Sequence, residues 1–152
     1  MRVIGSILLV LVTCVSVFAQ DGAMEGIDAY FMEPGYYDDL EMAKTDPDSV
    51  LYLDLSLQSP KLKEIPAVVF SFKNLKYLEL AYNQIGVVGD EIAVLEQLEV
   101  LGLNGNKYLT SVSDKLVALS SLKELHLNDT GLSAEQLNQT EKKLPSGCRL
   151  VR

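Results

Sequence analysis

This 152-residue chain has few of the residues on which cross-links and metal centres depend: two cysteines and a single histidine. No Cys/His spacing of a metal site is present. Bases are scarce as well, with 13 Lys and Arg against 21 Asp and Glu and a net charge of -8. Without a basic stripe to track phosphates, nucleic acid is disfavoured and is not expected as a partner. The chain also has no glycine-rich phosphate loop and no nucleophile elbow, so no cofactor and no metal are expected.

What is present is apolar and unevenly charged. A hydrophobic content of 48% is enough for one domain with a real core. The stretch 20–49 carries nine acids against Lys44 alone, whereas the chain from Val50 onward has twelve acids and eleven bases. The acidity belongs to an N-terminal segment, not to the body.

Arg2 followed by the uncharged run from Val3 to Ala19, closing on Val17-Phe18-Ala19, has the three parts of a secretory signal peptide, with the cut expected after Ala19. A membrane anchor is the alternative, but a span wants about 20 apolar residues and Gly5, Ser6, Thr13 and Ser16 interrupt this run. Bacterial lipidation at Cys14 is a further alternative, although Thr13 directly precedes it and the run stays apolar beyond it. Cleavage at Ala19 sends the chain to the periplasm, the cell surface or the medium with no membrane span. It leaves Cys148 as the one cysteine of the mature chain, so no intramolecular disulfide can form.

From Val50 onward four segments repeat. Val50-x-x-Leu53-x-Leu55-x-x-Gln58 is followed by Leu75-x-x-Leu78-x-Leu80-x-x-Asn83-x-Ile85, then Leu98-x-x-Leu101-x-Leu103-x-x-Asn106, then Leu122-x-x-Leu125-x-Leu127-x-x-Thr130-x-Leu132. Their first positions are 25, 23 and 24 residues apart. The segments between them also match: Leu62, Ile65, Val69 and Phe72 are echoed by Ile85, Val88, Ile92 and Leu95, and by Leu109, Val112, Leu116 and Leu119. An extra residue near Lys107-Tyr108 accounts for the spacing of 24.

This pattern resembles the leucine-rich-repeat family. The resemblance, with a leader like that of short secreted bacterial members, implies an α/β solenoid with a parallel concave sheet of about five strands and helical caps at both ends. It divides the chain into a signal peptide (1–19), an acidic flexible leader (20–37), an N-terminal cap (38–49), the repeats (50–132), and a C-terminal cap helix with a last strand (133–152). Asp38-x-x-Glu41 would open the N-terminal cap and Ser133-x-x-Gln136 the C-terminal one. Cys148 and Leu150 fall 23 residues after Leu125 and Leu127, so a strand over 147–151 with Cys148 in place of a core leucine is expected. Asn83 and Asn106 should bond the backbone where the chain leaves each strand.

In strands of this phase the leucines face inward and alternate residues face out. Three outward columns follow: Tyr52, Tyr77, Val100 and Glu124; then Asp54, Glu79, Gly102, His126 and Arg149; then Ser56, Ala81, Asn104 and Asn128. The resemblance implies a partner bound on this face, a protein or a glycan, and no catalysis. Candidate contacts are Tyr52, Asp54, Tyr77, Glu79, Tyr82, Asn104 and His126, with the tyrosines as anchors for their large amphipathic surface. Asp54 and Glu79 could also be read as paired carboxylates or a weak calcium site, but nothing forms a pocket around them and the set lacks further oxygens. His126 has no nucleophile placed beside it, so a triad is not supported.

An alternative role is a structural or self-assembling envelope component joined through its terminal strand edge or Cys148, in place of the monomer otherwise expected. Asn128-x-Thr130 and Asn138-x-Thr140 match the glycosylation sequon, which matters only in a eukaryotic source.

Overall fold

A computed structural model describes residues 34–152. The expected signal peptide, Cys14 and the leader up to residue 33 lie outside the described residues.

Each repeat contributes one short strand: β2 (Tyr52–Asp54), β3 (Tyr77–Glu79), β5 (Val100–Gly102) and β7 (Glu124–His126). With β1 (Tyr36–Tyr37) and β8 (Arg149–Val151) they form one parallel sheet in the order β1-β2-β3-β5-β7-β8. A period of two turns every second side chain to the same side, so the leucine pairs 53/55, 78/80, 101/103 and 125/127 all lie in the core. The register sets Leu53 beside Leu78, then Leu101, then Leu125. A single repeat could not bury this edge. Stacking removes each leucine from water, which stabilises by roughly 1.5–3 kcal/mol per side chain.

The return segments close the core from the other side. Val69, Ile92 and Leu116 are buried on equivalent short 3-10 turns, Ala67–Ser71, Asp90–Val94 and Asp114–Ala118. Phe72, Leu95 and Leu119 follow each turn and are fully buried. Two further strands, β4 (Val87–Val88) and β6 (Ser111–Val112), pair in parallel as a separate sheet.

The turn off each strand is built the same way in every repeat. Leu57, Tyr82, Gly105 and Asp129 all have positive φ, between 54 and 70°. The next residue in two of the repeats is the asparagine. Asn83 donates to the carbonyls of Leu55 (2.8 Å) and Leu80 (3.0 Å) and accepts from the Leu62 amide (3.2 Å). Asn106 donates to Leu80 (3.0 Å) and Leu103 (2.9 Å) and accepts from Ile85 (3.0 Å). These amides satisfy backbone groups that would otherwise be buried without partners. Thr130 does part of the work, its hydroxyl donating to Leu127.

Both ends carry helices. The first, α1 (Leu40–Ala43), is capped by the Asp39 carboxylate accepting from the Met42 amide at 2.9 Å, so the cap lies one residue beyond the expected Asp38. The second, α2 (Ala134–Lys142), has a full capping box between Ser133 and Gln136.

The two ends also bring corrections. The leader was expected to run flexibly to residue 37, but Tyr36 and Tyr37 pair with Tyr52 and Leu53 as an added strand. At the other end the register is Glu124 to Arg149, Leu125 to Leu150 and His126 to Val151. The last strand therefore spans Arg149–Val151, not 147–151. Leu150, not Cys148, stands beside Leu125, because the spacing stretches to 25 residues where α2 and its exit loop intervene. Cys148 is a half-buried thiol, its pKa pushed up by burial and then by the nearby Glu124 charge.

Candidate functional site

The outward face of the six-stranded sheet collects the candidate residues. Tyr36, Tyr52 and Tyr77 occupy one column on three neighbouring strands. The Tyr52 and Tyr77 rings stack with centroids 4.7 Å apart and planes within 19°. Offset-stacked rings at this distance gain about 0.5–1.5 kcal/mol beyond their burial. Tyr36 was missed in the sequence because it lies in a segment without the leucine repeat.

Asp54 and Glu79 are direct neighbours in the next column. Each folds back onto its own chain: Asp54 accepts from the Ser56 amide at 2.8 Å and Glu79 from the Ala81 amide at 3.0 Å. Glu79 then extends over the next strand. A methyl group on Gly102 would lie 2.2 Å from its carboxylate oxygens, so Glu79 fills the space that the missing side chain leaves. Burial there pushes the Glu79 pKa up; the Ala81 N–H opposes this, Asp54 adds to it, and the more distant His126 opposes it. Among the described residues no cation forms an ion pair with Asp54 or Glu79.

The C-terminal half of the face is electrostatically satisfied. Glu124 is held by His126 (Nε2 to Oε2, 2.8 Å) and by Arg149 (2.7 Å), and these bonds hold its pKa below the usual carboxylate value. Arg149 was expected beside His126. It lies instead in the column of Glu124, because the last strand is shifted in register. Glu99 pairs with Lys123 in the column flanking the strands.

Tyr82 and Asn104 lie just beyond the strand ends. Tyr82 is 54% exposed and its ring covers Gly105, whose added methyl would meet it at 2.4 Å. Leu57, at the same turn position one repeat earlier, is 64% exposed. Asn104 accepts from the Asn128 amide at 3.2 Å and ties two turns together. The face thus joins Tyr52, Asp54, Tyr77 and Glu79 closely, with Tyr82 at the turn beyond β3. His126 and Asn104 stand further along, and Asn83 and Asn106 are buried beneath.

No group of three or more His, Cys, Asp or Glu able to hold a metal occurs among the described residues. A polar groove elsewhere, between β6 and α2, is lined by Thr110, Asp114, Gln136 and Lys143. Lys143 and Asp114 neutralise each other there at 2.7 Å. No helix among the described residues is long and apolar enough to cross a membrane.

A parallel sheet built one strand per repeat, with a recurring asparagine turn and a return layer, defines a solenoid of stacked α/β units. Residues 53–107 match the family model described as leucine rich repeat. That segment of the chain is built of leucine-rich repeats. It is 33% identical over 96 residues to a receptor-like protein of Solanum lycopersicum, a match that takes in 62% of this chain and 9% of that protein. It is similar in structure to a leucine-rich-repeat protein of Leptospira interrogans, with a TM-score of 0.65 and 26% identity over 77% of this chain and 28% of that one. The chain thus spans about a tenth of the first relative and a little over a quarter of the second. The leucine-rich-repeat fold is in general a protein–protein interaction module.

Proposed function

We propose that this chain is a non-enzymatic binding module that acts outside the cytoplasm and recognises a protein on the outward, concave face of its six-stranded sheet. The observation that carries the reading is the Tyr52–Tyr77 stack in direct register beside Asp54 and Glu79. Rigid aromatic rings next to uncompensated carboxylates give a partner both apolar area and a directional polar contact, the combination found at interface hot spots. The extracytoplasmic site rests on the composition of the Arg2–Ala19 run.

The experiment is affinity capture from the native envelope or medium, followed by binding measurements on Tyr52→Ala/Tyr77→Ala. Replacing both anchors should weaken binding of the captured protein by about 2 kcal/mol or more, roughly thirtyfold. Unchanged affinity would remove the sheet face from the account.

A further inference from the structure

We propose that the partner reaches this face with an extended segment bearing a basic side chain, arginine fitting best, seated over β5 between the Tyr77 ring and the Glu79 carboxylate. The proposal rests on the sheet-face reading above and goes on to specify the chemistry of the occupant.

Three features of the face support it. First, β5 presents small residues outward: Val100 beside Tyr77 and Gly102 beside Glu79, whereas both flanking strands present larger ones. The face is therefore low over Val100, between Tyr77 and Glu124, while over Gly102 the Glu79 carboxylate itself takes up the space facing His126. Second, Tyr52 stacks on one side of the Tyr77 ring, and the neighbour on the other side is the short Val100 side chain, beyond which a planar cation would meet the aromatic edge of the patch. Third, the charges of the face are asymmetric. Glu124 and Glu99 already have cations, while Asp54 and Glu79 have none among the described residues.

Glu79 is the decisive member. Its carboxylate lies over Gly102, partly removed from water, and is stabilised by the backbone N–H groups of Ala81 and, more weakly, Leu80, while no cation pairs with it among the described residues. A guanidinium supplies two parallel donors to such a group and tolerates partial desolvation better than an ammonium does. The exposed Tyr82 and Leu57 side chains at the strand ends give the rest of the segment apolar purchase.

The test is selection of a random-peptide phage library on the immobilised full-length chain. Peptides carrying Arg or Lys should be enriched, and synthetic versions should lose about tenfold in affinity on Asp54→Asn/Glu79→Gln. The same charge change on α2, Glu135→Gln/Glu141→Gln, should leave affinity unaltered. Enriched peptides without a basic residue that still depend on Tyr77 would overturn the proposal while leaving the sheet-face reading intact. Peptides indifferent to Tyr52→Ala/Tyr77→Ala would overturn both. Equal losses in the two charge-change variants would show only long-range attraction and overturn the proposed seat.

Discussion

The carboxylate of Glu79 lies over Gly102, in the place a side chain on the neighbouring strand would take. Because the nearest atoms belong to the flexible end of Glu79, Gly102→Ala should fold and push that carboxylate out toward water. The Glu79 pKa should then fall back toward 4.5, the ordinary value. A carboxylate titration followed by NMR in both proteins measures this. An unchanged Glu79 titration in Gly102→Ala would contradict the burial account.

The same raised pKa sets a pH dependence. An acid whose folded pKa lies above its unfolded value holds its proton more tightly in the native state, so stability falls as pH rises through the window between the two values. Glu79→Gln keeps an oxygen for the Ala81 amide and removes the charge. It should be more stable than the parent above that window, by up to about 1 kcal/mol after allowance for solvent screening. The advantage should vanish below pH 4 or so, where the parent carboxyl is also neutral. Urea titrations at acidic and neutral pH decide it, and equal differences at both would rule out linkage.

Asn106 is fully buried and bonds three backbone groups, on Leu80, Ile85 and Leu103. Asn106→Ala leaves these partly orphaned and should cost about 3 kcal/mol or more. Asn106→Asp is no rescue, since a carboxylate cannot donate to Leu80 and Leu103. Chemical denaturation with an unchanged m-value is the readout. A loss under 1 kcal/mol would mean that the turn is held by other contacts.

Leu57 combines a left-handed backbone conformation with an exposed apolar side chain. Glycine adopts that conformation without steric cost, so Leu57→Gly should raise stability by about 1 kcal/mol. Thermal unfolding tests the sign. If Leu57 also lines the docking surface, the variant gains stability while losing affinity.

The repeats were legible because a dozen apolar positions recur in phase, and burial of one leucine demands its counterparts on neighbouring strands. The outward columns followed from strand alternation alone, which is why Tyr52, Asp54, Tyr77 and Glu79 could be grouped before any coordinates. The ends were less legible. The Tyr36–Tyr37 strand has no leucine repeat, and it is held by pairing to β2 rather than by a pattern of its own. At the C-terminus the α2 segment stretched the repeat, and counting by 23 misplaced Cys148 and Arg149 by two positions. The Glu79 position over Gly102 is a side-chain arrangement across strands, which periodicity does not encode.

The central claim is that a protein partner covers the outward sheet face. Tyr82 and Tyr108 provide matched reporters, since they are 54% and 64% exposed and only Tyr82 borders that face. Hydroxyl-radical footprinting of the free chain and of its complex with the captured partner compares them directly. The account predicts that the complex protects Tyr82, with Tyr52 and Tyr77, while Tyr108 is labelled as in the free chain. Protection of Tyr108 with unchanged labelling of Tyr82, Tyr52 and Tyr77 would contradict it.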